Sequence, residues 1–166
     1  MTGNTARRAA VRTRAACTLA LAALAAALAM PTAWAATYRV DDAATIVEDA
    51  VVKMRWRNVA PSRRADNTVL GATRVNVRLN IAPWQGRNAR IFLVLPVQPP
   101  APLLARWSTQ GRLQPGEVAS GQRTLVYAGP INAPTIGETL VLQMETDGLQ
   151  LEAMHRIDFH FEIDVE

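Results

Sequence analysis

The strongest constraint on this fold lies at the carboxyl end, where Ile157, Phe159, Phe161, Ile163 and Val165 alternate without a fault with Asp158, His160, Glu162, Asp164 and Glu166. A period of two puts the apolar set on one face of a strand and the polar set on the other, whereas a helix would scatter both around its axis. The same period recurs upstream in shorter runs. Val52, Met54 and Trp56 alternate with Lys53, Arg55 and Arg57, and Val75, Val77, Leu79 and Ile81 alternate with Arg74, Asn76, Arg78 and Asn80. Both runs predict half-buried strands. Residues 91–95 are apolar throughout and flanked by turn formers, which predicts a central core strand, and 103–107, 123–128 and 140–146 are weaker copies of the alternating pattern. The one hint of a helical period after residue 35 is at 43–51, where Asp42 can cap a single short turn.

Turn chemistry separates these runs. Asp147-Gly148 lies between 140–146 and 149–152 and predicts a tight hairpin. Further loops are marked by 61–67, by 83–86 with Trp84 inside, by 114–116, by Ser120-Gly121 and by 129–137. The proline-rich stretch 96–102 predicts a stiff connection, because each ring fixes φ and removes a donor. About seven or eight short strands predict an all-β chain, an immunoglobulin-like antiparallel β-sandwich rather than a closed barrel.

Before this domain comes a segment of another kind. Arg7, Arg8, Arg12 and Arg14, with no acid among them, precede an Ala/Leu run over 19–30 and then Ala33-Trp34-Ala35. That order is a secretory signal peptide with an A-x-A site, predicting cleavage between Ala35 and Ala36. The apolar run is short of the roughly 18 to 20 residues a span requires, so no transmembrane anchor is expected after cleavage. Cys17, the only cysteine, precedes the run, which argues against a lipid-anchored protein and leaves the exported domain without disulfide, Fe–S or cysteine-zinc chemistry. The expected organisation is a signal peptide over 1–35, a polar segment over 36–50 and a sandwich over 51–166, in the periplasm or outside the cell.

Charge is sorted along the chain. Four of the 18 basic residues and none of the 14 acidic ones lie in 1–35, so the exported part is neutral. Within it 51–123 is strongly basic and 124–166 strongly acidic. Strands that neutralise each other explain this sorting, with Lys53, Arg55 and Arg57 expected beside Asp158, Glu162 and Asp164. Export and the acidic tail argue against a nucleic-acid partner. Lys53 is the only lysine, an arginine bias that, with the Ala-rich signal, suggests a GC-rich bacterial genome.

Catalytic chemistry finds little foothold. His155 and His160 are the only histidines, and Ser62, Ser108 and Ser120 the only serines, none in a nucleophile-elbow context. Asp158, His160 and Glu162 share one face of the last strand at roughly 6.5 to 7 Å intervals, too wide for three ligands on one ion without help from a neighbour. No enzyme activity, cofactor or metal is therefore expected. Of the tryptophans, Trp56 falls in the apolar set and is expected in the core, Trp107 fits either setting, and Trp84, in a Pro/Gly turn, is the expected exposed binding aromatic.

The final strand carries the functional expectation. Its alternation suits pairing with another chain's edge through Ile157, Phe159, Phe161, Ile163 and Val165. The layout resembles that of bacterial pilus subunits: a signal, a polar amino-terminal segment, then a sandwich ending in an alternating strand. It differs from chaperone–usher pilins in lacking a disulfide pair and an aromatic residue near the terminus. The resemblance implies a non-enzymatic envelope or appendage component whose partners are other such proteins. A carbohydrate-binding module using Trp84 and the Arg-rich loops is the alternative.

Overall fold

The computed structural model describes residues 36–49, 51–58, 66–97, 102–150 and 158–165. The segment expected to be a signal peptide, the expected cleavage point and Ile157 lie outside them. In chain order the strands are β1 (Ala36–Arg39), β2 (Ile46–Val47), β3 (Arg55–Trp56), β4 (Thr68–Asn80), β5 (Asn88–Leu95), β6 (Leu104–Ser108), β7 (Gly116–Ala119), β8 (Gln122–Pro130), β9 (Thr135–Asp147) and β10 (His160–Val165). They form an antiparallel β-sandwich. The first sheet runs β1-β10-β5-β8, and the second runs β2-β4-β9-β6-β7, with β3 also on β4. Among the described residues the alternating runs at 74–81, 91–95, 103–107, 123–128, 140–146 and 157–166 fall on β4, β5, β6, β8, β9 and β10, the run at 52–57 yields only the two-residue β3, and β1, β2 and β7 lie outside the predicted runs.

Each sheet turns its apolar face inward. β4 buries Val69, Val75, Val77 and Leu79; β9 buries Ile136, Leu140, Leu142 and Met144. From the first sheet come Ile91, Leu93 and Leu95 of β5 and Phe161, Ile163 and Val165 of β10. β4 and β9 pair without interruption from Thr68↔Asp147 to Asn80↔Thr135, the longest ladder in the molecule. A bulge opposite Ile91 and Phe92 leaves Val126 without a partner on β5 and fully buried. Trp107 is buried, and its indole N–H donates to Gln114 O at 2.8 Å, so the one polar atom of a large core ring is satisfied.

The ends of the sandwich are closed by built turns. A 3-10 turn, Ala82–Trp84, and Gly86 at φ +80° carry the chain from β4 to β5. Between β6 and β7, one carboxylate organises the loop: Glu138 of β9 accepts the N–H groups of Gly111 (2.9 Å), Arg112 (2.7 Å) and Leu113 (2.9 Å). Leu113 is thereby held in the core.

Several expectations are corrected. β10 is no uncovered edge: it lies between β1 and β5 and pairs with both. The segment 36–50 supplies β1 and β2 to the sandwich and buries Val40. No helical turn forms after Asp42; Thr45 N–H donates to Asp42 O at 2.8 Å in a tight turn, and Ile46–Val47 joins β4. Asp147-Gly148 does not begin a hairpin on β9, because β4 and β6 already occupy both sides of that strand. Gly148 N–H donates instead to Asn67 O at 2.8 Å. Trp56 is on the inward-facing side of β3, opposite Val69, but β3 is the rim of its sheet and the ring stays 42% exposed.

Candidate functional site

β4 has a continuous partner on one side and an interrupted one on the other. On the interrupted side β3 takes Val69 and Leu70 and β2 takes Val75 and Asn76, leaving 71–74 without a strand partner. Side chains of Val52 and Met54 cover this gap. Val52 and Met54 pack onto the core, lying so close over Gly71 that a methyl group there would overlap Met54 Sδ and Val52 Cγ1. A side chain at position 71 would have to displace those two, so glycine here serves their close approach.

Beside this plug is a groove of about 720 Å³ lined by Asp49, Val51, Lys53, Arg55, Trp56, Leu70, Gly71, Ala72, Gln143 and Met144. Val51, Trp56 and Leu70 are exposed apolar residues. Among the described residues neither Lys53 nor Arg55 has an ion-pair partner. Asp49 accepts a hydrogen bond from Thr73 Oγ1 at 3.1 Å. Lys53 and Arg55 therefore do not pair with Glu162 or Asp164, which sit on β10 of the first sheet.

The acidic tail is neutralised by other arginines. On the second sheet Glu145 receives Arg57 at 2.8 Å and Arg106 at 2.8 Å, Arg57 also reaches Asp66 at 3.5 Å, and Arg106 reaches Glu117 at 3.0 Å. The Arg57 hydrogen bond, helped by Arg106, holds the Glu145 carboxyl below its ordinary value against partial burial. Asp66 is lowered chiefly by its hydrogen bonds from Thr68, and Arg106 is raised by Glu117 and Glu145. On the first sheet Arg123 lies 4.3 Å above the centre of the Phe92 ring and reaches Glu162 and Asp164, each at 3.3 Å. The buried Asp164 also accepts from Thr37 Oγ1 of β1 at 2.6 Å.

The remaining candidates fall in place around these clusters. Trp84 is half-buried against the core and lies 5.9 Å from Tyr38, so the aromatic expected to be exposed is a packing residue, and Trp56 is the more open one. Phe159 is half-buried and meets Phe161 edge-on at 6.1 Å. His160 Nε2 is 3.5 Å from Glu162 Oε1, and among the described residues no three of His, Cys, Asp and Glu are grouped to hold a metal ion. No helix among them is long and apolar enough to cross a membrane. No protein-family model matches the chain, and no curated protein matches it.

Proposed function

We propose that this chain is an exported, non-enzymatic β-sandwich that acts through strand pairing with other proteins, as a structural or assembly component of the bacterial envelope or a pilus-like appendage. The observation that carries this reading is the way β10 is covered. Its side toward β5 belongs to the body of the sheet, but its other side is, among the described residues, paired only with β1, a four-residue edge strand with every residue exposed. β1 is held by main-chain hydrogen bonds, by Thr37 on Asp164 and by Tyr38 against Trp84. A strand from another molecule can supply the same main-chain bonds, since the buried side chains beneath, Phe161, Ile163 and Val165, belong to β10 itself. The partner-reading strand is thus β1 and its socket is β10.

The test is a chain that begins at Asp41 and so lacks β1, compared with one that begins at Ala36. The shortened chain should oligomerise or aggregate, and a peptide copying 36–41 should bind it and restore a monomer in sedimentation. A shortened chain that remains monomeric and ignores the peptide contradicts the reading.

A further inference from the structure

Main-chain bonds along β10 are blind to sequence, so a socket that chooses its partner must do so through the side chains that the covering strand brings. Three positions of that strand meet something specific. Thr37 lies opposite Asp164, which is only 6% exposed, and its hydroxyl donates to Asp164 Oδ1 at 2.6 Å. Arg123 Nη1 and Nη2 donate to Oδ1 and Oδ2 of the same carboxylate, each at 3.3 Å. Because Arg123 comes from β8, across β5 from β10, it fixes Asp164 from within the sheet whichever strand covers the other side. The hydroxyl is the partner that the covering strand supplies. Tyr38 lies 5.9 Å from Trp84, which is itself packed against the core. Val40 is 2% exposed in the core, and its N–H donates to Phe161 O at 2.9 Å. Position 39 is not read: Arg39 faces Glu162 in register but forms no ion pair among the described residues, and Glu162 is engaged by Arg123 and His160. A covering strand that cannot donate at the first of these positions leaves a nearly buried carboxylate one charge-assisted hydrogen bond short.

We propose that the β10 socket selects a partner strand of the pattern hydroxyl, aromatic, any residue, aliphatic, with Asp164 reading the hydroxyl, Trp84 the aromatic ring and the core the aliphatic side chain. This inference rests on the strand-pairing reading and names the partner that reading requires. The test uses the chain beginning at Ala36, which holds every described residue, with its own cover weakened by Thr37→Val and Tyr38→Ala. Peptides copying 36–41 are titrated into it to millimolar concentration and followed by NMR. The unaltered peptide should bind. A peptide with Thr37→Val should bind at least about tenfold more weakly, and one with Tyr38→Ala at least about threefold more weakly. Peptides with Thr37→Ser or Arg39→Ala should match the unaltered one within about twofold. In a chain that also carries Asp164→Asn, the gap between the Thr and Val peptides should shrink to less than about threefold, as expected when the charge that strengthens the hydrogen bond is removed. Equal affinity for all the peptides would overturn the side-chain code while leaving strand pairing in place. A gap unchanged by Asp164→Asn would overturn Asp164 as its reader. Absence of binding by every peptide would overturn the strand-pairing reading itself, and the code with it.

Discussion

The two sides of β4 show how differently one strand can be supported within a single sheet. Toward β9 every residue from Thr68 to Asn80 has a partner, and the side chains beneath are buried in alternation. Toward the rim, pairing is confined to two short contacts, and the interval is filled by Val52 and Met54 over Gly71. Continuous pairing gives rigidity and leaves no room for a ligand. Interrupted pairing leaves a groove whose lining is free to carry charge. The same contrast separates the two sides of β10, one built into the sheet by β5 and one covered by a short exposed strand.

The largest effect is expected where both supports meet. Phe161 is fully buried, and Phe161→Ala should cost about 3 to 5 kcal/mol in chemical denaturation, through lost transfer energy and the cavity left behind. His160→Ala, on the outward side of the same strand, should cost little; a loss comparable to Phe161→Ala would mean that the face assignment is wrong. Glu138→Ala removes the acceptor for three consecutive N–H groups and should cost roughly 1.5 to 3 kcal/mol. It should also raise amide exchange at 111–113, and unchanged exchange there would show that the loop is held by something else.

Gly71→Ala sharpens the comparison at the rim. The added methyl meets side chains and no backbone among its nearest contacts, so Met54 and Val52 should shift at a cost of roughly 1 kcal/mol. A loss of several kcal/mol would mean that the plug is as rigid as the β9 side. Glu145→Gln is expected to have the smallest effect, up to about 1 kcal/mol at neutral pH. Because folding lowers the Glu145 carboxyl, its stabilisation is present above the ordinary carboxylate range and is lost as pH falls through the folded-state value. The wild type and the variant should therefore converge in stability as pH falls from the ordinary carboxylate range through the lowered folded-state value, and a constant gap down to acid pH would contradict the ion-pair origin.

Much of the sandwich was legible in the sequence because a buried face imposes a period of two. Phe161, Ile163 and Val165 point inward as their alternation requires, and so do Val75, Val77 and Leu79. What alternation cannot reveal is the neighbour on each side of a strand. The pattern of β10 is the same for an edge strand and an interior one, and only β1, with no buried residue to mark it, decides between them. Trp56 is a similar case: the face was readable, but its position at the rim, and hence its exposure, depends on β3 being the last strand of its sheet. Charge sorting anticipated that the acidic tail meets arginines but not which ones, since Arg57, Arg106 and Arg123 find their acids by cross-strand placement.

The central claim, that β1 is a separable cover over a socket built into the sheet, is tested most directly by native-state amide exchange along β10. Val40 N–H donates to Phe161 O at 2.9 Å, so the alternation of an antiparallel ladder turns the N–H of Ile163 toward β1 and those of Glu162 and Asp164 toward β5. Exchange of Ile163 should proceed by local release of β1 and run at least about tenfold faster than that of Glu162 and Asp164, which should report global unfolding. Equal protection of all three amides at the level of global unfolding would show that β1 and β10 open only together, and would contradict the account.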